Sequence, residues 1–282
     1  MHPSLAVLPQ YLFPKQALTE FSGSLASKPM GGRTTWLIKR FIERYQVDMS
    51  EAENSDPASY ATFNEFFGRA LRPGARPIAD TALVSPVDGA ISQLGLIQGA
   101  EVFQAKGHSY STTALLGGDA QEAARYQDGL FATLYLSPKD YHRVHMPCDG
   151  VLKRMIHVPG DLFSVNPTTA RGVPGLFARN ERVVCLFDSE QGPFVLVLVG
   201  ATIVGSMVTV WHGVVNASRD GKIREWSYED QNIALEKGQE MGRFLLGSTV
   251  VMLFPKESGY RFDADWQPQG LIRQGQAMGY QG

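Results

Sequence analysis

Leu246-Gly247-Ser248-Thr249-Val250-Val251-Met252-Leu253-Phe254 reads as a turn that enters a buried strand. An apolar, β-branched run of this kind, opened by glycine, is what a strand inside a sheet requires. The Gly-Ser bond at its head admits a second reading. The Ser248 hydroxyl sits one atom shift from the Gly247 carbonyl, and Gly247 has no Cβ to obstruct attack. Taken alone, the tetrapeptide suits an ordinary turn as well as a self-processing bond.

Outward from this stretch, most of the chain beyond residue 80 has the same texture. Strands are expected at Leu83-Val84, Ala90-Ile91, Phe131 to Leu136, Val151 to Val158, Val183 to Phe187, Phe194 to Val199, Thr202 to Val204, Met207 to Trp211 and Thr249 to Phe254. Turns separate them at Pro86-Val87-Asp88-Gly89, Cys148-Asp149-Gly150 and Gln191-Gly192-Pro193. Many strands at short spacing predict an α+β fold with a mainly antiparallel β core and N-terminal amphipathic helices. Phe194 to Trp211 is long enough to raise the question of a membrane span. Its Val, Ile and Thr content and its breaks at Gly200, Gly205 and Ser206 instead predict two buried strands with a bend.

The first seventy-five residues differ. Leu37, Ile38, Phe41, Ile42 and Tyr45 recur at helical spacing beside Arg33, Lys39, Arg40 and Arg44, with Trp36 near the start. Tyr11 to Pro14 and Leu18 to Leu25 suggest a further short amphipathic element. Such a helix either lies on an anionic bilayer or packs its apolar face on the core, and periodicity does not choose. A polar stretch from 48 to 60 follows. Then comes a helix with Phe63, Phe66, Phe67 and Leu71 on one face, expected to end at Arg72-Pro73-Gly74.

The chain has 282 residues, 44% hydrophobic and 19% charged, with a net charge of −2, which describes a globular protein with ample core. The absence of a basic excess gives no support to a nucleic-acid partner. The two cysteines, Cys148 and Cys185, form no Cys-x-x-Cys pair, and Cys185 lies in an apolar run. Buried free thiols and a reducing compartment are expected. The N-terminus lacks the basic start and apolar stretch of a secretory signal.

Cleavage at Ser248 needs a base and a group to orient it. His142 and His145, in Tyr141-His142-Arg143-Val144-His145, are the candidate bases, because imidazole titrates near neutrality. Three residues apart, they share a face of a helical turn or splay apart on an extended segment. No third ligand stands at metal spacing, so no metal is assigned. Asp88 is a candidate orienting carboxylate, although Asp-Gly is also ordinary turn chemistry.

Several longer phrases carry a resemblance. They include Phe63-Asn64-Glu65-Phe66-Phe67, Asp88 to Gly95, Lys106 to Ser111, Tyr135 to Pro147, Pro159 to Asn166, Phe177 to Arg182, Val199 to Ser206, and Lys237 to Phe244 running into Leu246-Gly247-Ser248-Thr249. In this order, across nearly the whole chain, they resemble the phosphatidylserine decarboxylases, in their bacterial, membrane-associated and pyruvoyl-dependent form. The stretch 214 to 235 departs from the pattern and touches no proposed catalytic residue.

The resemblance implies a proenzyme cut between Gly247 and Ser248 into a large chain (1–247) and a small chain (248–282), with Ser248 becoming a covalent pyruvoyl group. It makes His145 the triad base, Asp88 the triad carboxylate and His142 a second histidine, serving decarboxylation. The implied substrate is phosphatidylserine, held as a Schiff base and converted to phosphatidylethanolamine and CO2. The implied partners are the two chains of one proenzyme, with a dimer of that pair left open, and an anionic membrane surface. Residues 1–75 then become a membrane-associating region and 76–282 the catalytic domain, attached peripherally to the cytoplasmic side of the cell membrane. Two alternatives remain: a soluble pyruvoyl-dependent amino-acid decarboxylase, and a non-catalytic membrane-surface protein that keeps the fold.

Overall fold

The structure, a computed structural model, describes residues 7, 10, 15–202, 206–216, 220–245 and 248–282. Among these the largest element is a nine-stranded sheet. Its strands run in the order Arg224–Ser227, Gly150–Val158, Arg182–Ser189, Gly192–Val199, Ser248–Phe254, Leu130–Leu136, Gly89–Leu96 and Leu271–Ile272, with Ala234–Leu235 also on Gly150–Val158. Every pairing is antiparallel. The strand Ser248–Phe254 is buried along its whole length, as its composition requires of a central strand. Stacked rings of Phe187, Phe194 and Phe254 continue the core beside it, with centroids 5.2 and 6.1 Å apart.

A second sheet joins Gly213–Val214, Met207–Thr209, Glu240–Phe244 and Arg143–His145. A third joins Leu83–Val84, Ala277–Gln281 and Tyr260–Phe262, and Glu101–Ala105 pairs with His108–Ser111. The mainly antiparallel α+β expectation therefore agrees with the architecture.

Particular boundaries shift. The Phe194 to Trp211 run does form two strands, but they belong to different sheets and the second stops at Thr209. Thr202 lies in a turn and not in a strand, while Ile203, Val204 and Gly205 lie outside the described residues. No helix among the described residues is long and apolar enough to cross a membrane. Cys148 and Cys185 are both free and buried.

The N-terminal part contributes helices Lys15–Ala26 and Gly32–Tyr45. A third helix, Phe63–Phe67, is capped by Thr62, whose hydroxyl accepts the Glu65 N–H, while Glu65 accepts the Ala61 N–H in return. It ends at Gly68, short of the expected Arg72, because the chain then pairs with the preceding loop: Ala52 bridges Leu71, and Arg72 N–H donates to Glu51 O. Ile38, Val47, Phe63, Phe66 and Phe67 form a small core of their own, with Leu37, Phe41 and Ile42 packed against it. The Phe41 ring lies 5.2 to 6.0 Å from those of Phe63, Phe66 and Phe67. Most of the apolar stripe thus faces inward, while Trp36, 64% exposed, and Tyr45 at the helix end are the large apolar side chains this helix gives to solvent, beside Lys39, Arg40 and Arg44.

Candidate active site

Three segments converge at one end of the large sheet. Ser248 opens its strand opposite Leu136, the last residue of Leu130–Leu136. Ala90 sits opposite Tyr135 on the other side of that strand, which brings the Pro86-Val87-Asp88-Gly89 turn to the same edge. Gly89 is needed there, since a Cβ would lie 2.3 Å from the Tyr135 carbonyl oxygen. After Leu136 the chain turns at Ser137, whose N–H and hydroxyl both donate to Asp140 at 2.7 Å. That turn delivers Tyr141 and His142.

The histidines stand on extended backbone. Arg143–His145 pairs with Glu240–Phe244, the strand that leads directly to the Gly247-Ser248 bond, and Phe244 N–H donates to His142 O. His145 N–H donates to Pro86 O at 2.9 Å, which ties the histidine strand to the Asp88 turn. Backbone bonds therefore join all three sequence-predicted regions. Leu246 and Gly247 lie outside the described residues.

Each histidine spends its Nδ1–H on a main-chain carbonyl. His142 Nδ1 bonds Asp140 O at 2.8 Å, and His145 Nδ1 bonds Gly238 O at 2.8 Å. A neutral imidazole held this way presents Nε2 as an acceptor. Burial lowers the His145 pKa, opposed by the Gly238 carbonyl. Burial lowers that of His142 to about 3, and the ring packs 4.1 Å from that of Phe67. Both are neutral at pH 7, the state a base requires.

Nε2 of His145 accepts the Tyr141 O–H at 3.1 Å, and burial pushes that phenol up to about 12, so it remains a donor. Nε2 of His142 has no hydrogen-bond partner among the described residues, and neither has Ser248 Oγ. Both residues are fully buried. An unsatisfied buried polar group costs about 1–3 kcal/mol, and such groups gather where chemistry is done.

Asp88 is differently engaged from the triad expectation. No hydrogen bond joins it to His145 among the described residues. Its carboxylate accepts from Arg76 Nε at 3.0 Å and Nη2, and from the Gln274 N–H at 2.8 Å. Arg76 also donates to Glu51, which pairs in turn with Arg273. The guanidinium fork fits a carboxylate side-on, and with the Gln274 N–H it occupies three of the roughly four acceptor positions of the carboxylate. Arg76, Tyr141 and Gln274 are the site residues that sequence reasoning missed. Tyr141 alone had a local signal, its place beside the histidines.

Similarity to known proteins identifies the family. The family model "Phosphatidylserine decarboxylase" matches residues 63–280, and a second model, "PSD", matches residues 5–46. A phosphatidylserine decarboxylase proenzyme of Variovorax paradoxus is 70% identical over 273 residues, covering 97% of this chain and 96% of its own. Proteins of the same name from Polaromonas naphthalenivorans and Delftia acidovorans are 68% and 66% identical, each covering 99% of this chain and 97% and 98% of their own. With the histidine strand, the Asp88 turn and Ser248 brought to one edge, and a match along nearly the whole length, the chain belongs to the phosphatidylserine decarboxylase family.

Proposed function

We propose that this chain cuts itself between Gly247 and Ser248 and then converts phosphatidylserine to phosphatidylethanolamine and CO2. The observation that carries the reading is Ser248, a buried hydroxyl without a hydrogen-bond partner among the described residues, at the head of the central strand. Neutral His145 removes its proton once Nε2 exchanges the Tyr141 hydroxyl for Ser248 Oγ. Oγ then adds to the Gly247 carbonyl carbon, and the peptide C–N bond breaks as the nitrogen takes a proton, leaving an ester. Loss of the Ser248 α-proton expels the Gly247 carboxylate, and water then releases ammonia. Asp88 steadies this edge through Arg76 and the Gln274 amide, and Tyr141 fixes the His145 ring.

A small planar pyruvoyl group suits the place of the Ser248 side chain, which has no hydrogen bond to lose among the described residues, and strand pairing with Leu136 would hold it. Such a group supplies a carbonyl that condenses with a primary amine and an electron sink for the pair left by CO2. His142, neutral and with Nε2 open, takes the proton that the incoming ammonium must lose. It returns that proton to the carbon that lost CO2. A base that gives back what it took needs no resting charge, which reconciles its burial with proton delivery.

Attachment to a membrane is peripheral in this reading, through Trp36, Lys39, Arg40 and Arg44 on the exposed side of helix Gly32–Tyr45. Purified protein supplied with phosphatidylserine in mixed micelles should release CO2 in step with phosphatidylethanolamine. Turnover of free serine with none of the lipid would overturn the substrate assignment.

A further inference from the structure

Arg69 carries a charge that its surroundings leave uncompensated. The residue is 4% exposed, and among the described residues its Nε has no hydrogen-bond partner and Nη2 reaches only the Lys139 carbonyl, at 3.4 Å. The guanidinium carbon lies 5.5 Å from the Phe66 ring centre. No carboxylate stands within ion-pair distance of it among the described residues. Taking a guanidinium out of water with no counter-ion is costly, and burial holds its pKa below the ordinary arginine value. Neighbouring arginines are treated otherwise: Arg76 holds Asp88 and Glu51, Arg273 holds Glu51, and Arg143 holds Glu240.

Arg69 lines a cavity of about 370 Å³ that also touches Asp88, Lys139, Asp140 and Tyr141. The acidic groups beside it are already engaged, Asp88 by Arg76 and Gln274, Glu51 by Arg76 and Arg273, and Asp140 by Ser137. Asp48 accepts the Ser50 N–H. Lys139 is exposed and has no ion-pair partner among the described residues. Of the four cations that line the cavity, Arg76 and Arg273 are paired with carboxylates, which leaves Arg69, buried, and Lys139 without an ion-pair partner among the described residues, beside the phenol that bonds His145.

Resting on the decarboxylase reading above, we infer that Arg69, with Lys139, binds the phosphodiester of the lipid head group in this cavity. The serine end of the substrate then points toward Tyr141 and the histidines. The substrate carboxylate is a poor candidate for this cation, because it must leave as neutral CO2. A buried positive charge on it would stabilise the ground state and raise the barrier. The phosphodiester is unchanged by the reaction, so its contact acts equally on substrate and transition state and appears in KM.

Steady-state decarboxylation of phosphatidylserine in mixed micelles by processed protein tests this. Arg69→Gln should raise KM by about ten- to a hundred-fold, the range for losing a charged hydrogen bond, with kcat within a few-fold of wild type. Arg69→Lys should recover part of the loss, and Lys139→Gln should show a smaller rise. All three should still mature to two chains, since the cut needs no lipid. Glycerophosphoethanolamine should compete with substrate, and Lys139→Gln should weaken that competition, a readout that stands even if Arg69→Gln does not fold. An unchanged KM in folded, processed Arg69→Gln, or a fall in kcat at constant KM, would overturn the inference. So would absence of competition, or inorganic phosphate competing as strongly as the phosphodiester, which would mark a free-phosphate site. Wild-type protein inactive on the lipid would instead overturn the functional reading, and this inference with it.

Discussion

Asp88 and Gln274 stand 186 residues apart and meet in a 2.8 Å hydrogen bond from the Gln274 N–H to Asp88 Oδ1. The proposed cut at 247–248 falls between them, so this contact would join the large chain to the small one. Strand pairing does the same on a larger scale. Ser248–Phe254 is in register with Leu130–Leu136 on one side and with Val195 to Val199 on the other, and Leu271–Ile272 pairs with Gly89 and Ala90.

The two chains should therefore remain together after cleavage. Each fully buried Val, Leu, Met or Phe of the central strand contributes about 1.5–3 kcal/mol. Size exclusion in native buffer should give one peak containing both chains, separable only in denaturant. Free small chain in native buffer would contradict this architecture.

The site residues should separate by reaction. In freshly translated chain, His145→Ala should abolish cutting, Asp88→Asn should slow it, and Tyr141→Phe should slow it by about tenfold, less than loss of a proton-transfer group itself. His142→Ala should mature yet lose most decarboxylation, on the order of 10²–10⁴-fold. A folded Asp88→Asn that cuts at the wild-type rate would leave Asp88 as an anchor for Arg76 and Gln274 only. Wild-type cutting by Tyr141→Phe would show that the phenol merely fills space.

Stability should depend on pH through His142. Its folded pKa of about 3 lies below the ordinary value of 6.5, so the unfolded chain binds the proton more readily. The contribution is complete above about pH 6.5 and is lost as pH falls from there toward 3. The slope for one such group is about 1.4 kcal/mol per pH unit. Urea unfolding of single-chain Ser248→Ala protein at pH 7, 6 and 5 should show this decline, and His142→Gln should flatten it. Equal pH dependence with and without His142 would refute the assignment.

Which parts of this were legible in the sequence follows from what signals are local. The central strands announced themselves because runs such as Phe194 to Val199 and Val250 to Phe254 are continuous and apolar. The Arg143–His145 and Glu240–Phe244 pair did not, since both strands are short and carry charges that pair only in the fold, Arg143 with Glu240 at 2.7 Å. Ser248, His142 and His145 were visible by residue type and order. The Asp88–Arg76–Glu51–Arg273 chain was not, because its members come from distant loops. The helix at 32–45 was recognisable by period, but period did not say that its stripe was already covered by Phe63, Phe66 and Phe67.

That covered stripe narrows the membrane prediction to exposed groups. Trp36→Ala and joint replacement of Lys39, Arg40 and Arg44 by Gln should each weaken binding to anionic vesicles and leave self-cleavage unchanged. Each basic residue near such a surface is worth about 1 kcal/mol, and binding should fall as salt rises. Co-sedimentation indifferent to these substitutions and to salt would assign the helix wholly to the core.

The most direct test of self-processing at Ser248 is the intact mass of the purified protein, measured beside a denaturing gel. Wild type should give two chains divided between residues 247 and 248. The small chain should lack its N-terminal amine and weigh one ammonia less than a chain beginning with serine, while Ser248→Ala stays whole. A wild-type chain of full length, or a small chain with an ordinary serine terminus, would contradict the account.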